Sequence, residues 1–338
     1  MADFNVNHIT GKQGQQGTVL AGVSTVSSTG SMRIPSGPTE QRGGRGRGLF
    51  AVGYNGSAQV TTINYITISS TGNSVDFGEL SRVRNGPGGS ASATRGLVAG
   101  GDGPTYAKSI DYITISSSGG ANDFGDLSTA RITYSSNSNN IISLTYGGYW
   151  SSINVNTIEY VTIATTGNAS DFGDELYLVR NCNPIGNTTR AVIFGGYDST
   201  LSAAINKASY NLYSSRGTSI HFGEMGYSAF GAGGVSNTTR GIFGGGGNPS
   251  NANNIEYITF ATEGNGTEFG DLTVARRMNR GMSNSIRGVF SGGYTPTYLN
   301  TMDYVTIATT ANATDFGDIL QATGSHACCS DSHGGIGE

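Results

Sequence analysis

Two histidines and two cysteines lie within eight residues near the end of the chain, in the order His326, Cys328, Cys329 and His333. Imidazole and thiolate groups are the ligands of structural zinc sites, which need four ligands converging in a tetrahedron. In a β-strand, however, Cys328 and Cys329 point to opposite faces, so both cannot bind one ion without a bulge. We therefore expect buried thiols in a strand and no metal site. Cys182 is the third cysteine, and this odd count is not a disulfide framework.

A triplet of an acidic residue, Phe and Gly could bind magnesium, because kinases use Asp-Phe-Gly in that role. The partners of that site, a Gly-rich nucleotide loop and a His-Arg-Asp sequence, are missing. The triplet instead occurs five times, with a sixth copy in which His replaces the acid. We expect Phe to fill the interior, Gly to make a turn and Asp to cap it. The six copies are Asp76-Phe77-Gly78, Asp123-Phe124-Gly125, Asp171-Phe172-Gly173, His221-Phe222-Gly223, Glu268-Phe269-Gly270 and Asp315-Phe316-Gly317.

Each of three triplet acids is followed eight or nine residues later by an arginine. The pairs are Asp76 with Arg84, Asp123 with Arg131, and Asp171 with Arg180. We expect hydrogen-bonded pairs within one structural unit, and an exposed pair of this kind contributes only about 0–1 kcal/mol. The acids recur with the repeat, so no unique carboxylate pair marks a glycosidase site.

These residues belong to one unit of about 47 residues that is copied six times. Successive triplets are 47, 48, 50, 47 and 47 residues apart. A tyrosine in an apolar, β-branched segment keeps the same step, and an Arg-Gly-x-x-x-Gly-Gly pattern begins at Arg95, Arg240 and Arg287. A constant period of this length predicts a repeated supersecondary unit. The tyrosines are Tyr65, Tyr112, Tyr160, Tyr210, Tyr257 and Tyr304.

Each unit is expected to form four short strands, in the second copy near 95–99, 109–116, 123–127 and 132–138, separated by Gly-, Asn- and Ser-rich turns. The strands are apolar on both faces and therefore need cover on both sides, as in the blades of a β-propeller. The sequence predicts an all-β fold, a six-bladed propeller over residues 47–338. A C-terminal strand near 325–332 would close the ring by pairing with the first blade.

Composition excludes several classes of protein. Charged residues make up 12% of the 338, and the net charge is −4, so no basic surface for nucleic acid is predicted. No apolar run is long enough to span a membrane, and no secretory signal is recognisable. Asn187-Thr188-Thr189 and Asn237-Thr238-Thr239 match glycosylation acceptors but are interpreted as turns. The fourth copy, with Ser209 before its tyrosine and His221 in its triplet, is expected to be irregular.

Residues 1–46 lack the repeat and are rich in Gly, Gln, Ser and Thr. They cannot bury enough apolar surface to order themselves, so we expect an extended arm that folds by adding to another subunit. The Gly-Arg stretch 43–48 is interpreted as a hinge, with phosphate or acidic-neighbour binding as the alternative. The expected docking residues are Val19, Leu20, Val23, Met32, Ile34, Pro35, Arg42 and Arg45.

The repeat resembles kelch-type repeats in structural proteins of tailed bacteriophages, above all those of marine cyanophages. The resemblance is carried by the Arg-Gly-x-x-x-Gly-Gly element, by segments such as 156–168, and by Met32 to Glu40, which is similar to a virion attachment arm. It implies a virion component, assembled in the host cytoplasm and present in several copies per particle. The arm would bind other virion proteins.

The expected function is a non-enzymatic structural protein of a tail fibre, appendage or capsid decoration, serving assembly or host-surface adhesion, with no cofactor. One alternative is a lectin-like module that binds glycan between blades, with contacts from Tyr106, Tyr149, Trp150 and Tyr197. A second is an enzyme on a kelch scaffold, whose copper-oxidase form would need clustered Tyr, His and Cys.

Overall fold

A computed structural model of the protein describes residues 25–26, 32–33, 46–132, 135–151 and 153–336. These residues form an all-β structure with six four-stranded antiparallel sheets. In each sheet, strand order follows the chain, except that the last strand of the chain is the first strand of sheet 1. The repeated four-stranded sheets are consistent with a β-propeller.

The strands of the first three sheets are as follows. Sheet 1 contains Ala327–Ser330, Arg47–Tyr54, Gln59–Thr67 and Val75–Glu79. Sheet 2 contains Gly88–Ala91, Arg95–Ala99, Ser109–Thr114 and Asn122–Asp126. Sheet 3 contains Ser136–Ser138, Ile142–Trp150, Ile153–Thr162 and Ser170–Asp174.

The other three sheets repeat this pattern. Sheet 4 contains Asn183–Gly186, Arg190–Phe194, Lys207–Leu212 and Ile220–Glu224. Sheet 5 contains Gly233–Ser236, Arg240–Gly244, Asn254–Thr259 and Thr267–Asp271. Sheet 6 contains Arg280–Ser283, Arg287–Ser291, Thr301–Thr306 and Thr314–Asp318. Sheet 4 keeps all four strands, although the fourth copy was expected to be irregular. The loop between its second and third strands, however, forms two short extra strands.

Two further small sheets are present. Val179–Arg180, Tyr197–Asp198 and Ala203–Ala204 form a three-stranded sheet beside sheet 4. Thr25–Val26 pairs antiparallel with Met32–Arg33.

Each sheet has two ends that differ in their connections. At one, the turn end, tight turns join the first strand to the second and the third to the fourth. At the other, the loop end, a loop joins the second strand to the third, and a connector leads to the next sheet. This loop is long in sheets 2, 4, 5 and 6 and short in sheets 1 and 3. The described strands of the six sheets begin at Arg47 and end at Ser330, and both points lie at the turn end.

Apolar side chains fill the space between neighbouring sheets, as the sequence predicts for strands that are apolar on both faces. Leu49 packs with residues of sheet 2, whereas the adjacent Phe50 packs with residues of sheet 6. Six such clusters occur among the described residues, one for each pair of neighbouring sheets including sheets 6 and 1. Cys329 joins the cluster between sheets 1 and 2.

The Asp-Phe-Gly triplet lies within the fourth strand of each sheet and not at a turn, which corrects the expectation for Asp and Gly. Phe is buried as predicted, but Asp is exposed. Gly sits at a β-bulge, such as the register shift between Ile63 and Asn64 opposite Gly78. A Cβ on Gly78 would lie 2.3 Å from the Gly119 carbonyl oxygen of the next sheet. Glycine is required because neighbouring backbones touch there.

Arginines at the start of the second strand fasten neighbouring sheets together at the turn end. The guanidinium of Arg95 stacks 4.4 Å from the Tyr112 ring centroid and donates to the Ile163 carbonyl of the next sheet. Arg287 of sheet 6 likewise donates to the Ile68 carbonyl of sheet 1 at 3.2 Å. Arg47, which was expected in the hinge, has this same role on Tyr65 and Ile115. The corresponding residues of sheets 4 and 5 are Arg190 and Arg240.

The arginines of the three predicted acid–arginine pairs have other partners. Arg84 binds Asp111 of the next sheet at 2.9 Å, and both side chains are buried. Arg131 binds Glu159 at 2.5 Å, again in the next sheet. The connectors place Arg84 and Arg131 against the acid that precedes the next repeat tyrosine, while the triplet acids are exposed. Arg180, the third arginine, lies instead over the rings of Tyr149 and Tyr197. The contacts of Arg84 and Arg131 are therefore buried ion pairs between sheets, not exposed pairs within one. Arg276 with Asp303 is a third, and burial lowers the pKa of Arg276 while Asp303 raises it.

The first strands surround a narrow central cavity of about 70 Å³ lined mostly by small side chains. The C-terminal tail crosses this region at the turn end. The ring of His333 contacts the Ala91 carbonyl at 2.9 Å, and the Gly334 amide donates to the Ser236 carbonyl at 3.1 Å. The tail thus contacts sheets 2 and 5 and covers that end of the cavity.

Candidate functional site: an aromatic and arginine arc at the loop end

Aromatic and arginine side chains form a continuous row across the loop end, which we call the loop-end arc. It is built where each connector pairs with the loop of the sheet that it enters, as Arg180 pairs with Tyr197 and Arg277 with Tyr294. Sheets 3, 4 and 6 contribute tyrosines, sheet 1 contributes Tyr54, and three connectors contribute the remaining residues. In order, the arc consists of Tyr149, Arg180, Tyr197, Phe230, Arg277, Tyr294, Tyr298 and Tyr54.

Each member of the arc contacts the next, the arginines over ring faces and the neighbouring rings edge to face. Arg180 lies between two rings, 4.4 Å from the Tyr149 centroid and 4.9 Å from that of Tyr197. Arg277 lies between Phe230 and Tyr294, at 5.8 and 5.3 Å. A guanidinium within about 6 Å of a ring centroid is attracted to the negative face of the ring. These contacts hold the planes of both arginines and orient their N–H groups along the plane edges.

Two clefts open along the arc. The first, about 490 Å³, is lined by Ile132, Tyr149, Arg180, Asn181, Tyr197, Phe230 and Met278. The second, about 640 Å³, is lined by Asn55, Gly56, Ser57, Arg277, Met278, Tyr294, Pro296, Thr297, Tyr298 and Ala322. Both volumes fall in the range of small-molecule sites, about 300–1,000 Å³. Met278 borders both clefts, so they are neighbours on one surface.

The clefts hold positive charge and unused hydrogen-bonding groups. Arg180 and Arg277 are the only charged side chains among the described residues that line them. No carboxylate forms an ion pair with either arginine within the described part of the chain. The Oδ1 atom of Asn181 is buried without a hydrogen-bond partner, and so is Nε of Arg277. Partial burial also raises the pKa of the Tyr298 hydroxyl, which therefore stays protonated as a donor.

The structure brings together two of the four predicted glycan contacts. Tyr149 and Tyr197 line the first cleft on either side of Arg180. Trp150 is next to Tyr149 but lies outside the cleft lining, with 43% of its surface exposed. Tyr106 is half-buried in the loop of sheet 2 and lines neither cleft. The sequence interpretation missed Arg180, Phe230 and Arg277 as partners, although this repeat position is variable: the matching residues are Asn85, Ile132 and Gly324.

The predicted docking residues lie almost entirely outside the described part of the chain. Met32 is the exception, since its backbone pairs with Val26. Val19, Leu20, Val23, Ile34, Pro35, Arg42 and Arg45 belong to the residues that are not described.

The four residues that could suggest a zinc site do not converge on one point: His326 and Cys328 share a neighbour, and Cys329 and His333 lie elsewhere. The buried His326 ring contacts Ser291 Oγ at 2.9 Å, and burial lowers its pKa to about 3. Cys328 Sγ lies 3.6 Å from the same hydroxyl, and burial raises its thiol pKa to about 12. Cys329 points to the opposite face, as predicted, and His333 contacts Ala91. No cluster of three or more metal-binding side chains occurs among the described residues.

Glu175 is a buried carboxyl group in the core of sheet 3. It occupies the position that Leu80 and Leu127 hold in the preceding repeats, and both of its oxygens lack a hydrogen-bond partner. Burial raises the pKa of Glu175 well above its usual value, although Arg131 opposes the shift. The nearby Cys182 thiol, which donates to Ser135 Oγ, has a raised pKa for the same reason. This group is enclosed by core residues and lines neither cleft.

Known proteins give no guide to this arrangement. Comparison with protein-family models and with curated proteins found no match to the chain. Within the described residues, no helix has the length and apolar character to cross a membrane.

Proposed function

We propose that this chain is a non-enzymatic structural protein of a tailed-bacteriophage particle. Its six sheets form a closed, kelch-like propeller that the N-terminal arm anchors to other virion proteins. The protein acts in a tail fibre, an appendage or a capsid decoration, in several copies per particle. It is assembled in the host cytoplasm, and its loop end faces outward for host-surface adhesion.

One observation carries this proposal: the point where the chain enters sheet 1 and the loop-end arc lie at opposite ends of the sheets. The chain enters sheet 1 at the turn end, where the Gly46 carbonyl accepts from the Ile68 amide. Residues 1–45 thus join the ring on the side away from Tyr149 and Arg277. An arm on one side and an unrepeated aromatic surface on the other suit a module that is fixed at one end and binds at the other.

Ring closure is supported by contacts between sheets 6 and 1 that match those between the other neighbours. The Gly72 amide of sheet 1 donates to the Phe316 carbonyl of sheet 6 at 2.8 Å, as Gly119 of sheet 2 donates to Phe77 at 2.9 Å. The C-terminal strand pairs with the strand Arg47–Tyr54. Closure leaves no unpaired first strand for aggregation.

The anchoring role is tested by particle assembly with and without the arm. We expect residues 47–338 to fold alone but not to enter the particle, and we expect the full chain to be cleaved within residues 1–46 by protease only before assembly. Mass spectrometry of purified particles gives the copy number of each form. Normal incorporation of the armless protein would show that the ring itself makes the assembly contact.

A lectin-like role is the second candidate, and the two clefts favour it. Tyrosine rings beside a fixed polar group are the kind of surface on which a sugar ring can stack and be oriented. This role is compatible with the first, because a displayed ring that binds glycan is an adhesin. Binding to a glycan array by the full chain, lost on substitution of Tyr149 and Tyr197 by Ala, would support it.

A further inference from the structure

We propose that the loop-end arc binds an acidic oligosaccharide, with one carboxylate on Arg180 and another on Arg277. This inference deepens the proposed function, because it names the ligand class of the displayed surface. It rests on the loop end being that surface, whereas the anchoring role of the arm is independent of it.

The positive charge of the two clefts favours an anionic ligand. Arg180 and Arg277 have no acidic partner among the described residues, in contrast to the buried Arg84, Arg131 and Arg276, which each bind a carboxylate. A guanidinium presents paired N–H groups that match the two oxygens of a carboxylate. Each guanidinium lies over two aromatic rings, which restrict its position, and its N–H groups are the donors that it can offer to a ligand in the cleft.

The tyrosine rings of the clefts favour a ligand that has flat apolar faces between its charged groups. Tyr149 and Tyr197 border the first cleft, and Tyr294 and Tyr298 border the second. A pyranose ring exposes axial C–H groups that pack on the negative face of an aromatic ring. The unpartnered Asn181 Oδ1, in a side chain that is 8% exposed, gives a sugar hydroxyl an acceptor beside Arg180.

The two clefts adjoin each other, which favours an oligosaccharide over a single sugar. Met278 borders both, and the ring contacts run without a break from Tyr197 through Phe230 to Arg277. Each arginine serves one cleft, so a chain of uronic acids that spans both would use the two positive charges at once. A monosaccharide would use only one, and two linked contacts bind more tightly than either alone.

Calorimetric titration of the full chain tests this with four probes: a mannuronic acid tetramer, its monomer, neutral mannotetraose and a tetraglutamate peptide. We expect the acidic tetramer to bind, the monomer to bind at least tenfold more weakly, and mannotetraose and the peptide not to bind measurably. Equal binding of mannotetraose, equal binding of tetraglutamate, or no binding of the acidic tetramer would overturn the proposal.

Substitutions locate the contact. Arg180→Gln and Arg277→Gln should each weaken tetramer binding at least tenfold, whereas Arg180→Lys should lose less because the charge remains. The matched control is Arg82→Gln, because Arg82 lies at the loop end in another connector and, among the described residues, donates only to the Thr105 carbonyl. Should a variant melt early, the unaltered protein gives a second readout: its affinity for the tetramer should fall steeply with added NaCl. Salt-independent binding, or equal loss with Arg82→Gln, would contradict the proposal.

Discussion

The two ends of the sheets are built from different kinds of residue. At the turn end, the second strand starts with arginine in five of the six repeats. At the loop end, the position that pairs with the following loop is different in almost every repeat, as Arg180, Phe230 and Arg277 illustrate; the others are Asn85, Ile132 and Gly324. Residues that recur in each repeat therefore hold the sheets together, while residues that differ between repeats are free to form a binding surface.

An exception at the turn end supports this interpretation. Sheet 3 has Ile142 where the other sheets have arginine. Arg216, from the turn between the third and fourth strands of sheet 4, lies over the repeat tyrosine of sheet 3 instead, with its guanidinium 4.6 Å from the Tyr160 ring centroid. The contact is thus kept although the residue that supplies it has changed.

The largest effect is expected from removing the last strand. Deletion of residues 322–338 takes away the strand Ala327–Ser330 and exposes the backbone of Arg47–Tyr54. We expect aggregation or a much lower Tm, because an unpaired strand edge and two open core clusters would result. Removal of residues 337–338 alone is the control. Equal melting temperatures of the two proteins, measured by calorimetry, would refute a role of this strand in holding the ring.

The next effect comes from the buried ion pairs. Asp111→Ala leaves Arg84 buried without its partner, which should reduce the free energy of unfolding by about 3–5 kcal/mol. Asp76→Ala is the matched control, because Asp76 is the exposed triplet acid of the repeat that contains Arg84. It should change stability by less than about 0.5 kcal/mol. Urea denaturation measures both. A larger loss for Asp76→Ala would restore the pairing within one unit that the sequence suggested.

The repeat allowed the fold to be predicted from the sequence. It did not show which residues of different repeats contact each other. Six copies of Tyr and Phe-Gly at one step indicate six four-stranded units, and the alternation of Tyr112 with Ile113 and Ile115 indicates cover on both faces. A period cannot show which copy a side chain touches, however. Arg84 was therefore assigned to Asp76, which is near in sequence, although the connector carries it to Asp111. The arc was missed for the same reason, since Arg180, Tyr197 and Arg277 come from three different repeats.

A smaller effect should follow from a methyl group at the interface between sheets. In Gly125→Ala the new Cβ would lie 2.3 Å from the Gly167 carbonyl oxygen, and the backbone there has a φ of +148°. Overlap of this kind costs about 1–3 kcal/mol, and backbone strain adds to it. Gly167→Ala is the control, because its Cβ would meet no atom within 4 Å. Thermal melts of both variants should separate them, and equal losses would argue against the interface.

A stabilising change is expected in the core of sheet 3. Glu175→Leu restores the residue type of Leu80 and Leu127 and should raise the Tm. Folding raises the pKa of Glu175, so burial of this carboxyl group lowers stability only when the unfolded state is ionised. The loss is absent below the unfolded pKa, near about 4.3, and grows as the pH rises toward the folded pKa. The Tm gain should therefore increase from pH 4 to pH 7. Melts across this range, with Glu175→Gln as the uncharged control, measure it, and a gain that shrinks with pH would contradict buried protonation.

The smallest effect on stability, and the most direct test of the account, concerns the loop-end arc. Particles carrying the double variant Arg180→Gln and Arg277→Gln would be purified, with copy number measured by mass spectrometry and host adsorption measured on the same preparation. We expect an unchanged copy number and a stability loss below about 1 kcal/mol, because neither arginine forms an ion pair in the described chain. Adsorption should fall at least tenfold. Loss of the protein from the particle, or full adsorption with a normal copy number, would contradict a ring that is anchored at one end and binds at the other.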